Sequence, residues 1–151
     1  MKKRNGFTLV ELMIVVVILG ILAAIVIPQF SDASEEAKMT SLVSDLQTIR
    51  SQIHLYKAQH HHGAANLPGT VSGVSFKDSM TKYTFADGRL APQATGDGVC
   101  DPYLREIPKN PFDGLADISS TAGAGDLSGG WHYNPTTGAF NANDSAEHAG
   151  L

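Results

Sequence analysis

"GFTLVELMIVVVILGILAAIVIP", residues 6–28, decides how this chain is read. Between residues 7 and 27 every side chain is apolar except those of Thr8 and Glu11. As a helix rising ~1.5 Å per residue this run spans about 31 Å, against a bilayer hydrocarbon thickness of ~30 Å. The flanks differ in charge: "MKKRN" precedes the run and "SDASEEAK" follows Pro28 shortly afterwards. Basic residues stay on the cytoplasmic side, so the expected topology is a single pass, with the N-terminus cytoplasmic and the remainder extracytoplasmic. A cleaved secretory signal has a shorter apolar core ending at a small-x-small site, and the candidates after Ile27 are poor. Gly20 and Pro28 interrupt the helical pattern, and Pro28, which lacks an amide and clashes with the preceding turn, predicts a kink.

Glu11 is the anomaly. An ionised acid at bilayer depth costs roughly 2.5–3.5 kcal/mol on insertion scales unless it is paired. "TLVE" places Thr8 and Glu11 at capping-box spacing, where each satisfies free amides of the first turn, and a carboxylate there also suits the helix dipole. A cap alone could equally stand before the apolar run, so the position of the charge points to a functional partner.

The short basic leader, Gly6, "FTLVE" and the long apolar helix together resemble the prepilin signature shared by type IV pilins and the pseudopilins of type II secretion. The resemblance implies cleavage by a prepilin peptidase between Gly6 and Phe7, loss of residues 1–6 and N-methylation of Phe7. It implies that the Glu11 carboxylate pairs with the N-terminal amine of a neighbouring subunit during assembly. The partners implied are further copies of the chain, other pseudopilins, the inner-membrane assembly platform and membrane lipid. "YLREIPKNPF" and "GGWHYNPTTGAFNAND" tilt the resemblance toward major-type pseudopilins of the inner membrane. A type IV pilin for adhesion, motility or DNA uptake, and a membrane-tethered binding protein that never polymerises, are the alternatives.

Beyond residue 30, Met39, Leu42, Leu46, Ile49, Ile53 and Tyr56 recur every three or four residues. They form one apolar stripe on a helix expected to run to about His60. "HHHG" ends it: histidines suit a helix C-terminus and Gly63 suits the left-handed stop. The His60–His62 run and His54 are weak metal ligands, because adjacent histidines point to different sides of a helix. "KYTFADGRLAP" reads as strand, turn at Asp87-Gly88, and strand. "GDGVCD" has acids beside glycines but not the EF-hand ligand order, so a loop is expected. Two prolines forbid a regular helix through "YLREIPKNPFDG", leaving Tyr103, Leu104, Ile107 and Phe112 to anchor a loop. The clearest hairpin runs from Trp131 to Asn143, with its turn at Pro135 and Gly138 and with Phe140 opposite Trp131 and Tyr133.

The expected fold is α+β. A long N-terminal helix, part membrane-embedded and part amphipathic, packs on a small C-terminal antiparallel sheet with long loops. The expected organisation is a leader at residues 1–6, an assembly helix at 7–30, its amphipathic continuation at 31–62 and a globular head at 63–151. The net charge of −4 includes three positive charges at Lys2, Lys3 and Arg4, so the exported part is strongly acidic and no nucleic-acid partner is expected. A single cysteine, Cys100, excludes an intrachain disulfide. No catalytic motif stands out, so no enzyme is expected. The motifs themselves assign no cofactor. The resemblance implies calcium in a C-terminal loop, for which Asp113, Asp117, Asp126, Asn141, Asn143 and Asp144 are the oxygen donors in the right region.

Overall fold

The computed structural model describes residues 6–61, 66–94, 96–120 and 123–151, and for residues 26–32 the helical backbone alone. The basic flank at residues 2–4, His62, the expected stop at Gly63 and the side chain of Pro28 lie outside the described residues. By its contacts the chain divides into Met1–Lys38 and Met39–Leu151. Helix α1, Leu9–Gln59, contributes to both units. It continues through Gly20, so that glycine does not end it.

In the first unit the apolar side chains of α1 are solvent-exposed all round, from Leu9 and Val10 to Leu22 and Ile25. Among the described residues no helix is long and apolar enough to cross a membrane. The side chains described stop at residue 25, short of the full apolar run of residues 7–27.

In the second unit the stripe behaves as its period requires. Leu42, Leu46, Ile49, Ile53 and Tyr56 are buried and Met39 partly so, in one cluster with Leu67, Phe76, Met80, Ile107, Trp131, Tyr133, Phe140 and Ala142. Burying each large apolar side chain contributes about 1.5–3 kcal/mol, and this cluster is what ties the helix to the C-terminal chain.

A short helix, α2, Phe76–Thr81, is an element the apolar pattern did not announce. Its signal is the cap in "SFKD": the Ser75 hydroxyl accepts the Asp78 N–H at 3.0 Å and donates to the Asp78 carboxylate at 2.9 Å. Strand β1, Thr84–Phe85, pairs antiparallel with β2, Val99–Cys100. The expected turn at Asp87-Gly88 is present, with Gly88 at φ 81° and the Phe85 N–H donating to Arg89 O at 2.8 Å. The expected return strand is only a bridge at Leu90. The partner comes instead from "GDGVCD", which therefore holds a strand rather than only a loop.

The second sheet has the order β3-β4-β5, with β3 at Ile118–Ser119, β4 at Trp131–Tyr133 and β5 at Phe140–Ala142. The hairpin β4–β5 is antiparallel, pairing Tyr133 with Phe140 and Trp131 with Ala142. Its turn has Gly138 at φ 79° and is held by the Asn134 carboxamide oxygen, which accepts the Thr136 and Thr137 N–H groups. Phe140 meets the Trp131 ring at 5.5 Å and the Tyr133 ring at 6.5 Å between centroids. Strand β3 runs parallel to β4, so the sheet is mixed rather than purely antiparallel. A parallel pair needs a long connection, which the Gly- and Ser-rich run between residues 120 and 130 supplies.

The loop "YLREIPKNPFDG" is anchored as expected, with Ile107 buried and Tyr103, Leu104 and Phe112 packed on the core. At its centre Asn110 is fully buried and donates to Gly130 O at 2.9 Å. A Cβ on Gly130 would lie 2.3 Å from the carbonyl oxygen of Leu115, which itself accepts the Asn110 N–H. Gly130→Ala is therefore expected to destabilise the head by more than the ~1–3 kcal/mol of ordinary overpacking, because the obstacle is backbone. Gly123→Ala, where nothing lies within 4 Å, should stay within about 0.5 kcal/mol. Urea unfolding of the two variants checks the contrast.

Candidate functional site

At the start of α1 the expected box is formed in full. The Thr8 N–H donates to Glu11 Oε2 at 2.8 Å, the Thr8 hydroxyl to the same oxygen at 2.9 Å, and the Glu11 N–H to the Thr8 hydroxyl at 3.2 Å. Both bonds to the carboxylate fall on Oε2, so the box leaves Oε1 out. Phe7 directly precedes this box and is 89% exposed. The charge thus stands at the head of a helix whose first turns are apolar on every side. Such a surface is stable only when covered by lipid or by another apolar helix.

Among the described residues, His54, His60 and His61 do not converge on a metal site. His60 is fully buried and stacks on Tyr56 at 3.7 Å between ring centroids. Its Nδ1 faces Tyr56 O at 2.9 Å and its Nε2 faces Thr84 Oγ1 at 3.0 Å. A carbonyl can only accept, so Nδ1 carries the proton toward it. Nε2 closes a link from the end of α1 to β1. His54 and His61 are exposed. Cys100 lies in β2 opposite Thr84, partly buried and unpaired with any other cysteine.

The six calcium candidates are dispersed over several roles. Asp113 accepts the Leu115 N–H within its own loop. Asp117 uses its backbone carbonyl, which accepts the Trp131 N–H. Asn141 donates to Ala149 O at 2.8 Å. Asp144 accepts from Asn110 at 2.6 Å and pairs with His148 Nδ1 at 2.5 Å. Only Asp126 and Asn143 meet, at 2.8 Å between Asp126 Oδ1 and Asn143 Nδ2. Among the described residues no group of three or more His, Cys, Asp or Glu side chains is arranged to hold a metal ion. Hydrogen bonds from the Ser128 hydroxyl, the Ser128 N–H and Asn143 hold the Asp126 carboxyl below the usual carboxylate range. Its stabilising effect is present above the ordinary value of ~3.9 and is lost as pH falls through the lower folded value.

A family model described as the prokaryotic N-terminal methylation motif matches residues 1–27, a stretch that includes Gly6, Phe7 and Glu11. The type II secretion system core protein G of Pseudomonas aeruginosa is 33% identical over 111 residues, covering 74% of this chain and 70% of that one. The chain belongs to the type II secretion system core protein G family. Core protein G of Klebsiella michiganensis is 30% identical over 127 residues, 83% of this chain and 80% of the relative. Core protein G of Dickeya chrysanthemi is 28% identical over 164 residues, 93% of this chain and 98% of the relative. No solved structure gives a significant match. The likeness to core protein G therefore extends well beyond the N-terminal motif and into the head.

Proposed function

We propose that this chain is a structural subunit of a type II secretion pseudopilus and that it performs no catalysis. It polymerises through its N-terminal helix with copies of itself and with other pseudopilins. Membership of the core protein G family is the observation that carries this reading. The exposed apolar surface of the first turns of α1, with a single carboxylate at its head, supports it.

Before assembly the subunit is held in the inner membrane, N-terminus inside and head outside. A prepilin peptidase removes residues 1–6 and methylates Phe7. The amine so created on one subunit is drawn to Glu11 of a neighbour. Oε2 keeps the Thr8 cap while Oε1 takes the ammonium, so the acid is capped and paired at once. A charge that is costly alone in hydrocarbon becomes tolerable when paired, and the pairing sets the axial register between subunits. The assembly platform supplies the subunits in order.

Two measurements test this. Mass spectrometry of the mature protein from its host should show loss of residues 1–6 and one added methyl; an intact Met1 overturns the processing. Deletion should leave normally secreted proteins trapped inside the cell envelope. Intact secretion with loss of long surface filaments would instead mark the chain as a type IV pilin.

A further inference from the structure

Asn143 follows β5 and is fully buried. Partners that can only donate fix the orientation of its carboxamide: Oδ1 accepts the N–H of Gly125 at 2.6 Å and that of Asp126 at 3.2 Å. The amide nitrogen is thereby aimed at Asp126 Oδ1, 2.8 Å away. The same carboxylate oxygen accepts the Ser128 N–H at 3.0 Å and the Ser128 hydroxyl at 2.6 Å. The backbone of Asn143 completes the grip, since its carbonyl accepts the Leu127 N–H at 3.1 Å and its N–H donates to Gly130 O at 3.1 Å. Leu127 is held at φ 65°, a conformation that a branched side chain rarely adopts.

Calcium takes about six to eight oxygen ligands at ~2.3–2.6 Å. Against Asp126 the place of a cation is taken by an NH2 group, and three donors point their hydrogens at the oxygen a cation would approach. The oxygen of Asn143 is turned away toward two backbone amides. Asp144, the next acid along, is committed to Asn110 and His148. This donor set does not fit calcium.

We infer that the loop at residues 125–130 is closed by protein groups alone, with the Asn143 amide standing where a divalent cation would otherwise sit, so that the head is stable without calcium. The clasp restrains residues 125–130, which lead into β4, and with them the placement of Trp131. The inference rests on the hydrogen bonds of the head and is independent of the assembly reading.

The test uses the full chain in detergent, with unfolding followed by the fluorescence of Trp131, the single tryptophan. The wild-type melting curve is expected to coincide in excess EDTA and in millimolar calcium chloride. Stabilisation of roughly 5 °C or more by calcium would overturn the inference, because a specific ion at a large multiple of its Kd produces a shift of that order. The second arm is Asn143→Asp, which sets a carboxylate oxygen against Asp126 Oδ1 while keeping an acceptor for the Gly125 and Asp126 amides. It is expected to melt lower than wild type in EDTA and to recover in calcium. A variant as stable as wild type in EDTA, or one that calcium does not restore, would overturn the assignment of the amide to a cation's place.

Discussion

Replacing Glu11 with valine is expected to abolish filament formation while cleavage after Gly6 and membrane insertion proceed normally. Valine removes the carboxylate and leaves the helix apolar, so insertion should if anything improve. What disappears is the single carboxylate of residues 7–27, the group proposed to pair with an incoming ammonium. Thr8→Val separates this role from capping: valine keeps the backbone N–H bond to Glu11 Oε2 and removes both bonds of the hydroxyl, its donation to Oε2 and its acceptance of the Glu11 N–H. A lost cap costs ~0.5–2 kcal/mol of helix stability, too little to stop assembly under the proposed pairing mechanism. The expected outcome is filaments with Thr8→Val and none with Glu11→Val, scored by electron microscopy of cells overexpressing each variant. Normal filaments from Glu11→Val would remove the pairing mechanism. Equal failure of both would make the cap the purpose of the acid.

Trp131→Ala is expected to be the most damaging single truncation in the head. The ring is fully buried, packs on Phe140 and donates its indole N–H to Pro108 O at 2.8 Å. It therefore joins the hairpin to the proline-containing loop. Truncating a buried Trp costs about 3–5 kcal/mol, a large share of the 5–15 kcal/mol by which ordinary domains are stable. Urea unfolding followed by circular dichroism measures it. Trp131→Phe keeps most of the ring and loses the hydrogen bond, for which about 0.5–1.5 kcal/mol is expected. A loss below ~1 kcal/mol for Trp131→Ala would mean that the hairpin and loop are held elsewhere.

The N-terminal box was legible because it is local. Thr8 and Glu11 are three residues apart on one helix, and no distant group is needed to bring them together. The same holds for the stripe from Leu42 to Tyr56, whose period specifies a buried face whatever covers it. The hairpin at Trp131 was legible for a related reason, since its turn residues and its alternating aromatics lie within a dozen positions. The cap at Ser75 and Asp78 was equally local and belongs to the same class of signal, but α2 is too short to show an apolar period of its own. Strand β3 carries no such mark: two residues have no period, and its parallel partner lies beyond a long loop.

The candidate calcium residues show the other limit. Their composition is the same whether acids converge on an ion or each bonds a separate amide, and only the folded chain distinguishes the two. Likewise nothing about "QHHHG" says that the first histidine is buried under a tyrosine and bonded to Thr84, while the next is exposed. By itself the sequence determined the long helix, its charge at Glu11, its buried stripe and the hairpin, all of which follow from spacings within about a dozen residues. Tertiary structure alone decided the parallel strand, the burial of His60 and Asn110, and the amide that meets Asp126. Each of these depends on which distant donor reaches which acceptor, and that is settled only when the core closes.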